Sequence, residues 1–316
     1  MSRGSIIKAT AFSILPKPLK KVVQSYFNNK TMKHWEECYK VRVSKEQVDD
    51  LFSQLDLDCD VMVHSSLPDI GNIKLKYVTD NLKRCILDRC HTILCPAIPI
   101  KGSTLDYLKS IEEFDVRTAP NAMGAISCYY GRQEGAIRSL SPTHSVIAMG
   151  QRAGFYTEEH HLLETPFSEK SPYFKLLATK GKILMFGSSM KNFTFIRIVD
   201  DMIGEECFPV KVYDPRVFEV DLVDSSGVRH RGRFRTHAHK SGRLLDTREL
   251  MVKVRQLPST RIIPLGCSEI ILTDARDVTT CLLENLKDGL TIMGHKHISE
   301  ECKKKADNWI DYIRQL

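Results

Sequence analysis

Four short apolar runs constrain the fold of this chain most. They are Asp60-Val-Met-Val-His-Ser-Ser-Leu, Thr92-Ile-Leu-Cys-Pro-Ala-Ile-Pro, Ser145-Val-Ile-Ala-Met-Gly and Lys182-Ile-Leu-Met-Phe-Gly. Each is too short for a core helix, and its apolar residues are consecutive rather than alternating. A strand has that pattern when both its faces are buried, which requires helices on both sides of a sheet. The intervening segments supply them. Ser44 caps a helix running through Leu55, with apolar positions at Val48, Leu51, Phe52 and Leu55. Residues 77–88 and Pro172 to Thr179 are expected to be helical, as are two amphipathic stretches, Asp274 to Lys287 and Ile298 to Leu316. The fold class is therefore α/β (α+β), a mixed central sheet flanked by helices.

A hairpin follows these strands. Val217 to Asp224, a Ser-Ser-Gly turn, and Val228 to Thr236 form a late antiparallel pair. Glu219 and Asp221 share one face of the first strand, and Arg229, Arg231, Arg233 and Arg235 share one face of the second. Two readings stay open: cross-strand ion pairing, or an anion-binding face. His237 and His239 form a lone His-x-His, a weak metal signal without further acidic or thiol ligands.

The net charge of +7 is not evenly spread. Residues 1–42 hold nine Lys/Arg against two Glu, and residues 229–243 hold six Lys/Arg and no acid, so the remainder is acidic. A nucleic-acid binder would spread basic charge over a face with aromatic platforms, and none is expected here. The basic stretch from Ile14 to Phe27 is either a docking arm or an extension packed on its own domain. No apolar run reaches spanning length, and no signal-peptide pattern opens the chain. The ten cysteines contain no Cys-x-x-Cys, so reduced thiols in a cytoplasmic protein are expected. The P-loop, dinucleotide, nucleophile-elbow and His-Glu-x-x-His patterns are all absent.

Several blocks, in order, carry a resemblance. They are Val63-His-Ser-Ser-Leu with Gly71, Pro120-Asn-Ala-Met-Gly, Arg138-Ser-Leu-Ser-Pro-Thr-His-Ser-Val-Ile-Ala-Met-Gly, His161-Leu-Leu-Glu-Thr-Pro-Phe-Ser-Glu-Lys-Ser-Pro, Gly181 to Gly187, and Thr194 to Asp200. Together they resemble the aminoglycoside 3-N-acetyltransferases over about residues 43–210. Departures stand at Pro68, Ser141, Arg197 and Asp200. Residues 1–42 lie outside the resemblance and read from their composition as a basic N-terminal extension; the resemblance implies an acetyltransferase-like domain over 43–316. It also implies acetyl transfer from acetyl-CoA, as co-substrate, to an amine on an amino sugar, either aminoglycoside-like or nucleotide-linked. The alternative is a catalytically idle relative acting as a docking module. A homodimer is compatible with the sequence.

At neutral pH an amine is largely protonated, so a general base must take its proton, and histidine suits the task. The resemblance points to His161 as that base with Glu164, three residues on, orienting it; His160 is the adjacent alternative. Ser65, Ser66 and Leu67 can offer backbone N–H groups to the thioester carbonyl or to pantetheine amides. Ser141, Thr143, His144 and Ser145 are either cofactor contacts or turn caps. Arg138 would meet a phosphate or a structural carboxylate. His64, at the carboxyl end of a buried strand, is a substrate contact or a hydrogen-bonded structural histidine. Asp200 and Asp201 can receive substrate ammonium groups. Arg197 lies three residues before Asp200, so the two are expected to neutralise each other and to disfavour polycationic aminoglycosides. No metal is expected.

Overall fold

A computed structural model describes residues 30–100, 102–189 and 192–316; the basic stretch before residue 30 lies outside the described residues. A helix over 30–39 leads into the domain, with Cys38 buried against it. The strands in chain order are β1 (Val61–Ser65), β2 (Thr92–Pro96), β3 (Glu113–Asp115), β4 (Ile137–Arg138), β5 (Val146–Gly150) and β6 (Lys182–Phe186). They continue with β7 (Phe218–Val223), β8 (Arg229–Phe234), β9 (Arg261–Leu265), β10 (Ser268–Asp274), β11 (Leu290–Thr291) and β12 (Gly294–His295).

All four apolar runs become strands of one seven-stranded sheet, ordered β4-β5-β2-β1-β6-β10-β9. β1 pairs in parallel with both β2 and β6, and the outer pairings are antiparallel. Consecutive apolar residues serve two cores. Met62, Leu94, Ile183 and Met185 face the helices Pro172–Ala178, Ile198–Ile203, Ala275–Lys287 and Glu300–Gln315. Val61, Val63, Ile93 and Leu184 face the helices Lys45–Ser53 and Leu75–Cys85. Helices thus cover both faces, as the uninterrupted apolar runs require.

Local chemistry sets the boundaries. Ser44 closes a capping box: its Oγ accepts from Gln47 N at 3.3 Å, and Gln47 Oε1 accepts from Ser44 N at 2.9 Å. The helix it starts ends at Ser53, two residues before the expected Leu55. Asp274 caps Ala275–Lys287 by accepting from Arg276 N at 2.8 Å. Gly187 stops β6 at φ +71°, where a Cβ would stand 2.4 Å from Ile70 Cγ1 and 2.8 Å from the Ser66 carbonyl. Only glycine allows both that backbone and that approach.

The chain leaves β1 on one side for β2 and later returns on the other side for β6. The carboxyl end of β1 is therefore a topological switch point, where open α/β sheets form ligand crevices.

The hairpin forms with β7 and β8 in antiparallel register, Glu219 opposite Arg233 and Asp221 opposite Arg231. β3 adds to it in parallel. Every arginine on its basic face meets a carboxylate. Arg231 reaches Glu219 at 2.7 Å, Arg229 reaches Glu113 at 2.9 Å, Arg235 reaches Glu205 at 3.0 Å and Arg233 approaches Glu164 at 3.9 Å. Arg231 and Arg233 remain 69% and 67% exposed, so these pairs contribute little. Replacing both with serine should change unfolding free energy by less than about 1 kcal/mol in urea titrations. Ligand binding in the cavity described below should stay unchanged, because neither side chain reaches it.

One expectation is corrected. Cys207 and Cys302 form a disulfide across 95 residues, fastening the last helix to the turn Glu205–Cys207 that follows Ile198–Ile203. The helices bring their Cα atoms to 5.8 Å, inside bonding range, so these two thiols are not reduced. The other eight cysteines are free. Among the described residues no helix is long and apolar enough to cross a membrane.

Candidate active site

The carboxyl ends of β1, β2 and β6 open into a cavity of about 1250 Å³. His64 and Ser65 reach it from the end of β1, and Ser66 and Leu67 from the start of the helix Leu67–Ile70. His144 comes from the loop before β5, Arg197 from the turn Thr194–Arg197, and His237 from the segment after β8.

Beneath the wall lies a buried trio. The turn Thr194–Arg197 runs straight into the helix Ile198–Ile203, so Arg197 and Asp200 share a face. Arg197 Nη1 donates to Asp200 Oδ2 at 3.1 Å, and the two neutralise each other as expected. His237 Nε2 lies 2.9 Å from the same oxygen. His237 is held there by a β-bridge to Tyr213, whose ring stacks on its imidazole at 4.9 Å. The His144 ring stands 5.4 Å from that of His237 and packs edge-on to Phe167 at 4.9 Å. Its Nδ1 contacts Thr143 Oγ1 at 3.0 Å, and its backbone N–H donates to Ser141 Oγ at 3.4 Å.

Burial sets the protonation states. It pushes the Asp200 carboxyl up to about 6, with the Arg197 guanidinium opposing it. Burial, with His237 and Arg197 nearby, holds His144 well below the usual histidine range; burial and Arg197 do the same for His237. Arg197 supplies the cation for Asp200, so His237 stays neutral. A carboxylate only accepts, so the hydrogen of that bond sits on Nε2. His64 is pushed down to about 4 by burial, and its buried Nε2 has no hydrogen-bond partner.

The expected residues separate into three groups. His64, Ser65, Ser66, Leu67 and His144 line the cavity. The Ser66 N–H is committed to the Phe186 carbonyl at 3.0 Å and is not offered to a thioester. Ser141, Thr143, Ser145 and Arg138 lie behind the wall. Arg138 donates to the carbonyls of Ala97, Ala119 and Pro120 and to Ser145 Oγ, and Ser145 Oγ donates to the Ala97 carbonyl at 2.7 Å. Arg138 therefore ties three loops together, its guanidinium bonded to carbonyls and a hydroxyl rather than to the structural carboxylate the sequence allowed. Asp201 turns away from the cavity and accepts from Phe167 N at 2.9 Å.

His161 and Glu164 stand apart from the cavity and from each other. Residues His160–Leu162 form one 3-10 turn that gives way to extended backbone at Leu163, so the spacing does not put the pair on one helical face. The His161 ring packs 5.1 Å from His230, and Glu164 faces Arg233 and Arg235 on the hairpin. His160 is buried between Ser139 Oγ at 2.8 Å and the Pro166 carbonyl at 3.2 Å, and is pushed down to about 3. His239 bonds Ser103 Oγ at 2.9 Å, away from His237's partner. Among the described residues no cluster of three or more metal-ligating side chains exists.

Asp201 gives a pH-dependent test. Burial raises its carboxyl from 3.8 to about 6. A carboxyl raised on folding favours the native state while protonated, and that contribution is lost as pH rises through about 6. Asn mimics the protonated form and can still accept from Phe167 N. Asp201→Asn should therefore stabilise the protein at pH 8, by at most about 3 kcal/mol. The gain should shrink towards pH 4, as measured by thermal melts across that range.

The fold is shared with solved structures, among them an aminoglycoside acetyltransferase. AAC(3)-Xa, an aminoglycoside acetyltransferase, superposes with a TM-score of 0.63 at 20% identity, over 78% of this chain and 94% of its own. AAC-IIIb, solved as a binary complex with CoASH, gives 0.61 at 17% identity over 78% and 96%. YokD from Bacillus subtilis gives 0.58 at 17% identity over 84% and 93%. No curated protein matches the chain in sequence. Residues 62–304 match the family model of aminoglycoside 3-N-acetyltransferase, so the chain belongs to that family of N-acetyltransferases.

Proposed function

We propose that this protein transfers the acetyl group of acetyl-CoA to an amine of an amino sugar, with His144 as the general base. The observation that carries the proposal is the cavity-lining His144 beside a His237 fixed on buried Asp200. His144 is neutral at pH 7 and can accept the amine proton as nitrogen attacks the thioester carbonyl carbon. Collapse of the tetrahedral adduct breaks the C–S bond, and the proton passes to the leaving thiolate of CoA. His64, neutral and with an unpartnered Nε2, is placed to hydrogen-bond a reactant. His161 and Glu164 take no part in this scheme.

The volume supports a two-substrate reaction. At about 1250 Å³ the cavity exceeds the usual range for one small ligand, roughly 300–1,000 Å³, leaving room for a pantetheine arm and an acceptor together. The known acceptors of the family, and the CoASH complex of AAC-IIIb, fit the same scheme.

Charge favours an ammonium-bearing acceptor. Among the described residues the charged side chains on the wall are Asp69, Asp106 and Arg197. Arg197 and Asp200 neutralise each other as expected, but Asp69 on the wall meets no Lys or Arg among the described residues, which favours a cationic acceptor rather than disfavouring one. The hairpin arginines are paired elsewhere, which removes their support for a nucleotide-linked sugar.

Thiol release from acetyl-CoA, followed against a panel of aminoglycosides and nucleotide-linked amino sugars, tests the proposal. Release dependent on an aminoglycoside supports it. Release only with nucleotide sugars would move the acceptor class, and no release with any amine would overturn the activity.

A further inference from the structure

The helix over 30–39 lies outside the stretch matched by the family model, 62–304, yet it brings Thr31 and Trp35 to the cavity wall. Trp35 is half-buried, and its Nε1 donates to Asp69 Oδ1 at 2.9 Å. His34 Nε2 stands 3.3 Å from the same oxygen, so two side chains of this helix fix the Asp69 carboxylate at the mouth. The helix is itself anchored. Asn72 N donates to the Val41 carbonyl at 2.8 Å and Val43 N to the Asn72 carbonyl at 3.1 Å, just after Cys38 enters the interior.

We propose that Trp35 and Asp69 form an acceptor subsite that receives a ring bearing an ammonium group. Three observations define its chemistry. An indole presents a flat apolar face that suits the C–H face of a sugar and attracts a cation. Asp69 adds a carboxylate at the edge of that face; Asp106, on the same wall, is already paired with Lys109 at 3.4 Å and His239 at 3.3 Å. The one cation on the described wall, Arg197, is spent on Asp200. The phosphates of CoA would be repelled by the Asp69 carboxylate, so the acceptor is the substrate this end of the cavity fits. The helix is thereby a specificity element added to the family domain. The inference rests on the acetyl-transfer proposal, but its test does not require turnover.

The chain has two tryptophans, Trp35 and Trp309. Trp309 lies far from the mouth, with Nε1 on the Met202 carbonyl and its ring against Phe174. In a Trp309→Phe variant all indole emission therefore reports Trp35. Titration with neamine, a two-ring polyamine sugar, should give a saturable change in that emission, while CoA should give none. Asp69→Asn should weaken the neamine response about tenfold, and adding His144→Ala should leave it intact. In steady state, Trp35→Ala should raise acceptor KM about tenfold with acetyl-CoA KM within twofold, and Trp35→Phe should recover most of the loss. A response to CoA but not to neamine, or to neither, would overturn the subsite. Neamine binding without acetyl transfer by the parent protein would instead overturn the activity and leave the subsite standing.

Discussion

Replacing His144 with alanine should lower the rate of acetyl transfer by about 10²–10⁴ and leave acetyl-CoA affinity nearly unchanged. The loss falls on the chemical step because an amine that keeps its proton cannot attack a thioester. Burial leaves His144 unprotonated and able to accept. At 6% exposure, with neutral His237 and cationic Arg197 nearby, its imidazole is held in the basic form through the neutral range. The sign is that of a depressed histidine, so His144 should not lose activity by protonation between pH 8 and 6. A parallel His161→Ala variant should stay within about threefold of the parent, since its ring packs on His230 outside the cavity. Single-turnover measurements separate binding from chemistry. Collapse of the rate with His161→Ala but not with His144→Ala would reverse the assignment.

The two variants also mark how much of the site the sequence discloses. The strands are legible because their apolar residues serve two cores at once, and a continuous apolar run has few other readings. β9 and β10 are less so. Arg261-Ile-Ile-Pro-Leu carries a proline that argues against a strand, and the chain tolerates it because β9 is an edge. β3 is a three-residue piece, Glu113-Phe-Asp, whose only apolar residue fills the small core under the hairpin.

Site residues near a strand end, such as His64 and Ser65, are placed by the strand itself. His144 is legible as a polar residue before β5, but its role depends on His237, which arrives through the bridge to Tyr213. No local pattern encodes that meeting; the one signal is the His-x-His at 237 and 239, and the structure gives its two members different partners. The spacing of His161 and Glu164 misleads for the opposite reason. Three residues mean one face only where the helix continues, and this turn ends at Leu162. Trp35 carries no signal at all, because its helix gains meaning only by docking on Asp69.

Asp200→Ala should be the most destabilising single substitution in the site, costing about 3–5 kcal/mol in denaturant titrations. Asp200 is 1% exposed and Arg197 8%, so removing the carboxylate strands a guanidinium away from water. It also takes away the acceptor that orients His237. Loss of activity in this variant would therefore mix unfolding with misplacement. A second variant separates the two. Arg197→Met combined with Asp200→Leu replaces the ion pair by apolar volume, and such replacements are often neutral for stability. The double variant should recover most of the unfolding free energy. Its imidazole at position 237 still has no anchor, so turnover should remain at least about tenfold below the parent. Recovery of stability and turnover together would show that the buried pair holds the wall in place and contributes nothing to orienting the base.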